Sequence, residues 1–148
     1  MTAPLDQIRA SIISMLPRLR RCARTITRSH DDADDLVHIA LEHALEQHEN
    51  RRPDTRFETW MFGILRTAWD ELRAAQPGVV AGEVSDATTE TQSMHGALAA
   101  LPEEQRIVIA LVLLEGLSYE EASEVLDVPL DRVTSWLARG REALQAHL

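Results

Sequence analysis

Residues 117–144 read LSYEEASEVLDVPLDRVTSWLARGREAL, and their pattern decides the fold. Ser118 stands where a helix can begin, with Glu121 three residues on. That is the spacing of a capping box, in which the hydroxyl and the carboxylate each accept from the other residue's backbone N–H. Ala122, Val125 and Leu126 then give a short helix one apolar face. Asp127, Val128 and Pro129 break the pattern, and Pro129 suits the first turn of a new helix, where its missing N–H would be unpaired anyway. Val133, Leu137 and Leu144 recur at helical spacing and are expected to point inward. Arg132, Ser135, Trp136 and Arg139 then lie on another face and point outward, with Arg141 close by. A short helix, a tight turn and a second helix with a polar, arginine-bearing outer face make a helix-turn-helix. Its second helix is the candidate to enter a major groove, where arginine pairs with guanine edges and phosphates. The competing reading of this stretch is an ordinary helical hairpin in a bundle.

The rest of the 148 residues is read against that motif. No run of about 18 apolar residues exists, so no membrane insertion is expected. The N-terminal MTAPLDQIRASIISML lacks a charged leader followed by a long apolar block, so no signal peptide is expected and the cytoplasm is the default. The single cysteine, Cys22, rules out an internal disulfide and a multi-cysteine zinc site. All 15 basic residues are arginines, against 24 acids, for a net charge of −9. Phosphate binding normally needs a basic surface, so tight autonomous DNA binding is disfavoured. The charge is unevenly distributed: the first 76 residues are near balance, residues 77–93 carry only acids, and the acids after residue 94 crowd into 103–131. From Arg132 onward there are three arginines and one glutamate, so the last helix is locally basic. This suits weak DNA binding assisted by a larger partner.

Upstream, residues 5–27 are apolar at helical spacing, with Pro17 expected to kink or break the helix and Arg18, Arg20, Arg21, Arg24 and Arg28 making a basic, solvated side. Asp31, Asp32, Asp34 and Asp35 open a second amphipathic helix, where negative charge suits the helix dipole, running to about Gln47. At a helix start these acids fan out, so no metal site is expected. His38, His43 and His48 step by five residues and cannot share a metal as histidines at i and i+4 would. Residues 48–57, HENRRPDTRF, form an arginine-rich loop before a helix from Thr59 to Ala75 that carries Trp60 and Trp69. Core packing accounts for some of these aromatics; beside a basic loop they also suit stacking on unpaired bases. Residues 77–93, rich in glycine and small polar residues, read as a flexible linker. Glu103 to Glu115 is a strongly apolar helix closed by Gly116 as a C-cap. The fold class is all-α: two small helical domains, 1–76 and 94–148, joined by the linker 77–93. No phosphate loop or Ser–His–Asp arrangement appears, so neither an enzyme nor a cofactor is expected.

In this order, DDADDLV (31–37), RFETWMFGILRTAWDELR (56–73), a linker, ALPEEQR (100–106), EGLSYEEASEVLDVP (115–129) and VTSWLARGREAL (133–144) closely resemble the extracytoplasmic-function group of bacterial sigma factors. The resemblance implies region 2 in the first domain and region 4 in the second. It implies that Asp34, Asp35, Leu36, His38 and Ile39 contact the β′ clamp helices of core RNA polymerase. Arg51, Arg52, Arg56, Trp60, Arg66, Trp69 and Arg73 would open the −10 element and hold its non-template strand. Region 4 would sit on the β flap and place Arg132, Ser135, Trp136, Arg139 and Arg141 at the −35 major groove. Promoter DNA, core polymerase and an anti-sigma factor are the implied partners. The sequence departs from the family pattern at His38 and Ile39, at Thr67, after Arg73, and at Asp131, Thr134 and Trp136, and the departures lower the basic charge at the DNA-facing surfaces. The alternative is a sigma-like mimic that binds an anti-sigma factor or other sigma partner without productive DNA binding.

Overall fold

The computed structural model describes residues 5–27, 30–51, 55–75, 97–98 and 100–146. Helix α1 (Leu5–Ile26) is continuous through Pro17, so of the expected kink or break the break into two helices does not occur. Pro17 lies on the exposed side, and the opposite side buries Ile8, Ile12, Met15, Leu19, Cys22 and Ile26 without interruption. That continuous buried row offsets the backbone hydrogen bond that a proline removes. Helix α2 (His30–Gln47) starts with Asp31 and Asp32 in its first turn and buries Ala33, Leu36, Val37, Ala40 and Ala44. A 3-10 turn, His48–Asn50, follows. Helix α3 (Phe57–Ala75) begins two residues earlier than its sequence pattern suggests and buries Met61, Phe62, Leu65, Ala68, Trp69 and Leu72 against α1 and α2.

The second half opens with α4 (Glu103–Val108), which widens into a π-helical turn over Ile109–Leu114. Its end is a left-handed cap: Gly116 has φ +77°, and the Leu117 N–H donates to the Leu111 carbonyl at 3.0 Å. Helices α5 (Tyr119–Leu126) and α6 (Leu130–Gln145) complete the chain. The described residues are helical or irregular and include no strand.

The two small helical units expected from the sequence are present, α1 to α3 and α4 to α6, and their buried residues join in one cluster running from Ile8 through α2, α3 and α4 to Leu137. Helix α5 packs on α3, and α4 with its π turn packs on α1. The expected linker, residues 77–93, lies outside the described residues.

Candidate nucleic-acid interface

The helix-turn-helix is built as its residues dictate. The Glu121 N–H donates to Ser118 Oγ and the Ser118 N–H to Glu121 Oε1, both at 3.0 Å, which completes the capping box. Asp127 takes the left-handed conformation at φ 55°, one of the few non-glycine types that tolerates it. The turn is tightened by the Val128 N–H donating to the Ser123 carbonyl, while Ser123 Oγ donates to the Val128 carbonyl. Pro129 sits one position before the helix rather than inside its first turn, as the N-cap of α6. Val133 and Leu137 are buried and Leu144 half-buried. Gly140 lets Ile109 come so close that a Cβ there would lie 3.0 Å from Ile109 Cγ1.

Arg132, Ser135, Arg139 and Arg141 are exposed on α6, and none of the three arginines is ion-paired to another described residue. Trp136 corrects its expected outward placement. It is half-buried against the core, with the Arg132 guanidinium 6.0 Å from its ring centroid.

The residues expected to handle the −10 element occupy a different environment. Arg56 donates to Glu121 at 2.9 Å and to Glu58 at 3.0 Å, and the Thr59 hydroxyl donates to the same Glu121 carboxylate at 2.7 Å. Arg73 is ion-paired with Glu103 and Asp70, and Arg66 with Asp70. Trp69 is buried, not free to stack: its ring lies in the core because it continues the apolar row of Phe62, Leu65 and Leu72, and its indole N–H donates to Glu103 at 2.9 Å. Arg51 lies 5.7 Å from the Phe57 ring centroid, and Trp60 is half-buried at 5.6 Å from the same ring. Arg52 lies outside the described residues. A cleft of about 510 Å³ separates this face from α5, with Asn50, Trp60, Gly63 and Thr67 on one wall and Glu124 and Asp127 on the other.

On α2, Asp34, Asp35 and His38 are exposed as a docking face requires. Leu36 is fully buried and Ile39 half-buried on the core, because they share the inward stripe with Ala33, Val37 and Ala40. Leu36 therefore positions its acidic neighbours and makes no outside contact in this arrangement.

The sequence reading missed the acids of the second half as binding groups. Glu115 has a fully buried side chain and accepts a fork from Arg21 at 2.8 and 2.9 Å and one bond from Arg18 at 3.2 Å. Both arginines were expected in a solvated face. Hydrogen bonding to Glu115 raises the Arg21 pKa, and for Arg18 the bonds to Glu58 and Glu115 outweigh the lowering effect of burial. For Glu121, burial pushes the carboxyl pKa up, but Ser118, Thr59 and Arg56 together hold it below its ordinary value. Arg106 reaches from α4 to the C-terminus of α1, donating to the Ile26 carbonyl at 3.0 Å, where the helix dipole favours a cation. The available signal was the charge distribution itself, arginines in the first half and acids clustered at 103–131.

The site as a whole is an exposed arginine face on a helix-turn-helix, joined to a three-helix unit with a polar aromatic cleft. The profile of Sigma-70 region 4 matches residues 91–144, and that of the Sigma2 domain of PhyR matches residues 12–66. The chain is 30% identical to the ECF RNA polymerase sigma factor EcfG of Rhodopseudomonas palustris (strain TIE-1), covering 97% of this chain and 86% of that one. It is also 30% identical to the ECF RNA polymerase sigma-E factor of Escherichia coli (strain K12), over 76% of this chain and 72% of that one. Among solved structures, the sigma factor RpoE from Bartonella quintana, in complex with the anti-sigma factor NepR, superposes with a TM-score of 0.84 at 24% identity, covering 95% of this chain and 96% of that one. CnrH, in complex with the cytosolic domain of CnrY, superposes with a TM-score of 0.76 at 24% identity, over 97% and 88% of the two chains. The chain belongs to the extracytoplasmic-function RNA polymerase sigma factors, and its function is transcription initiation.

Proposed function

We propose that this sigma factor divides promoter recognition between α6 and α3, with Arg132, Ser135, Arg139 and Arg141 reading the −35 element. The observation that carries this reading is the run of unpaired, exposed arginines on the second helix of a fully formed helix-turn-helix. Arginine offers bidentate donors to guanine edges and single donors to phosphates, so this face supplies both specificity and register. Arg51, Arg56, Arg66 and Arg73 line the other DNA face, with Arg52 added by the sequence. Trp60, which lines the cleft and is half-buried, is the aromatic we assign to stack on an unpaired base. Trp69 supports that face from beneath.

Core RNA polymerase supplies most of the nonspecific affinity, which is why an acidic subunit can work on DNA. Asp34, Asp35 and His38 present the polar surface for the β′ clamp helices, and region 4 meets the β flap. The protein therefore works in the cytoplasm, by binding and not by bond-making. An anti-sigma partner is supported by the solved sigma factor RpoE, whose structure is a complex with the anti-sigma factor NepR.

The test is transcription in vitro with core bacterial RNA polymerase and a pooled genomic promoter library. Discrete new start sites are expected, and Arg132→Ala and Arg139→Ala should shift their distribution. Core binding without transcripts would overturn the −10 and −35 assignments, and absence of both would favour the mimic.

A further inference from the structure

Arg132 stands in the first turn of α6, where the helix dipole disfavours a cation, and no carboxylate of the described residues pairs with it. Its backbone is set by the Arg132 N–H, which donates to the Pro129 carbonyl at 3.0 Å. Its side chain has one neighbour that can hold a guanidinium. This is the Trp136 ring one turn on, with the guanidinium carbon 6.0 Å over the ring centroid. Residues four apart on a helix share a face, so the contact is available as soon as the ring is fixed. Trp136 is fixed, because it is half-buried and packed against the cluster that holds Val133 and Leu137. Arg139 and Arg141 are exposed on the same helix and have neither a carboxylate nor a ring among the described residues. We propose that Trp136 is a positioning residue for −35 recognition: its ring is a shelf that holds the Arg132 guanidinium for a base edge, and the ring makes no contact with DNA. This rests on the assignment of Arg132 to the −35 element made above.

The face of an indole is the negative side of the ring quadrupole and attracts a guanidinium lying over it. In the first turn of α6 that attraction offsets the repulsion from the helix dipole. It also restricts the arginine before DNA arrives. A free arginine loses rotamer freedom when it docks, and a shelved one has already lost part of it. A bidentate contact to a guanine edge needs the plane of the guanidinium set, whereas a phosphate accepts a mobile arginine from many directions. The shelf therefore serves discrimination between bases more than overall affinity. Arg132 is also the arginine nearest the start of α6, and the N-terminal residues of a recognition helix are the ones that meet base edges. On α3, Arg73 likewise lies over a ring, Trp69 at 5.6 Å, but Glu103 and Asp70 hold it by charge as well. Arg132 is held by its ring alone, which leaves its donors free for a ligand.

The test uses the full chain in holoenzyme with core bacterial RNA polymerase. Its DNA is a promoter found by the transcription experiment above, with every single-base variant of the −35 element. The readout is the ratio of affinities between the native −35 sequence and each variant. Trp136→Leu keeps an apolar side chain against the core and removes the ring face. Fluorination of the Trp136 ring alone, introduced by codon suppression, keeps its shape and packing and drains the negative face, so a folding defect in the first variant leaves the second to decide. At the base pair where Arg132→Ala lowers the ratio, Trp136→Leu should lower it by about twofold to fivefold, and fluorination should lower it in the same direction. In the Arg132→Ala background Trp136→Leu should change the ratio no further, while in the Arg139→Ala background its effect should persist in full. A further loss in the Arg132→Ala background overturns the positioning role, because Trp136 then touches DNA itself. An equal loss of affinity for every −35 sequence, or ratios unmoved by fluorination, overturns the shelf and leaves Trp136 a packing residue. Failure of the −35 assignment looks different: Arg132→Ala itself would leave every ratio unchanged.

Discussion

Helices α3 and α6 both carry arginines assigned to DNA, and they differ in what those arginines touch. On α6, Arg132, Arg139 and Arg141 face solvent. On and beside α3, Arg56, Arg66 and Arg73 are all engaged with carboxylates, two of them with acids from the other half of the chain. Side chains of the same type are thus free or occupied according to whether the fold sets acids opposite them. The recognition helix turns Val133, Leu137 and Gly140 inward and keeps its outer face. A helix in the middle of a shared core is open to capture by whatever packs across it.

The largest test of this contrast lies at Glu115. Replacing Arg18 and Arg21 together by alanine would leave the Glu115 carboxylate buried without its cations, at a cost of about 3–5 kcal/mol read from urea unfolding of the full chain. A loss below about 1 kcal/mol would show that Glu115 escapes to water and that the halves are not sealed there. The free face of α6 should behave oppositely. Arg132→Ala and Arg139→Ala should each weaken −35 recognition by about 1–3 kcal/mol in holoenzyme–promoter binding, with unfolding changed by less than about 0.5 kcal/mol. Unaltered selectivity in both would remove α6 from base reading.

A smaller effect separates local from long-range design. Ser118→Ala removes one acceptor of the capping box and should cost about 1 kcal/mol of folding stability. Its effect on the α2-to-α6 distance, read from dyes on cysteines introduced by Glu46→Cys and Glu142→Cys, should be small, because Glu121 keeps its bonds to Arg56 and Thr59. A larger distance would mean that the cap also supports the packing of α5 on α3. The smallest effect is in acid. Glu121 faces Arg56, Thr59 and Ser118, with Glu58 sharing Arg56, and this setting holds its carboxyl below the ordinary value of 4.5. The folded chain therefore gains from an ionised Glu121 above that value and loses the gain as pH falls through the depressed one. The stability difference between the native chain and Glu121→Gln should narrow as pH drops below 4.5. A constant difference would take the charge of Glu121 out of the interface.

Local chemistry was legible because it acts over a few residues. Ser118 and Glu121 form the box their spacing announces, Gly116 takes the positive φ of a helix end, and α2 ends at Gln47 as its apolar repeat requires. The buried stripe of α5 and α6 follows the same logic, and the helix-turn-helix needed nothing from outside to be recognised. Where the reading missed, the deciding partner was far away in the chain. Trp69 seemed a stacking aromatic, but burial of the row from Phe62 to Leu72 turns its ring inward and Glu103 takes its N–H. Pro17 seemed a break, but the buried side of α1 carries the helix through it.

The sequence by itself determined the all-α class, the capping box at Ser118 and Glu121, the helix-turn-helix and the family, since periodicity, capping residues and motif order are properties of neighbouring positions. Only the tertiary structure decided that the two halves share one core and that Glu103, Glu115 and Glu121 meet the arginines of α1 and α3. The physical reason is range. A charge finds its partner through space, across 30 to 97 residues of chain in these contacts, and no local pattern records which carboxylate will stand opposite which guanidinium.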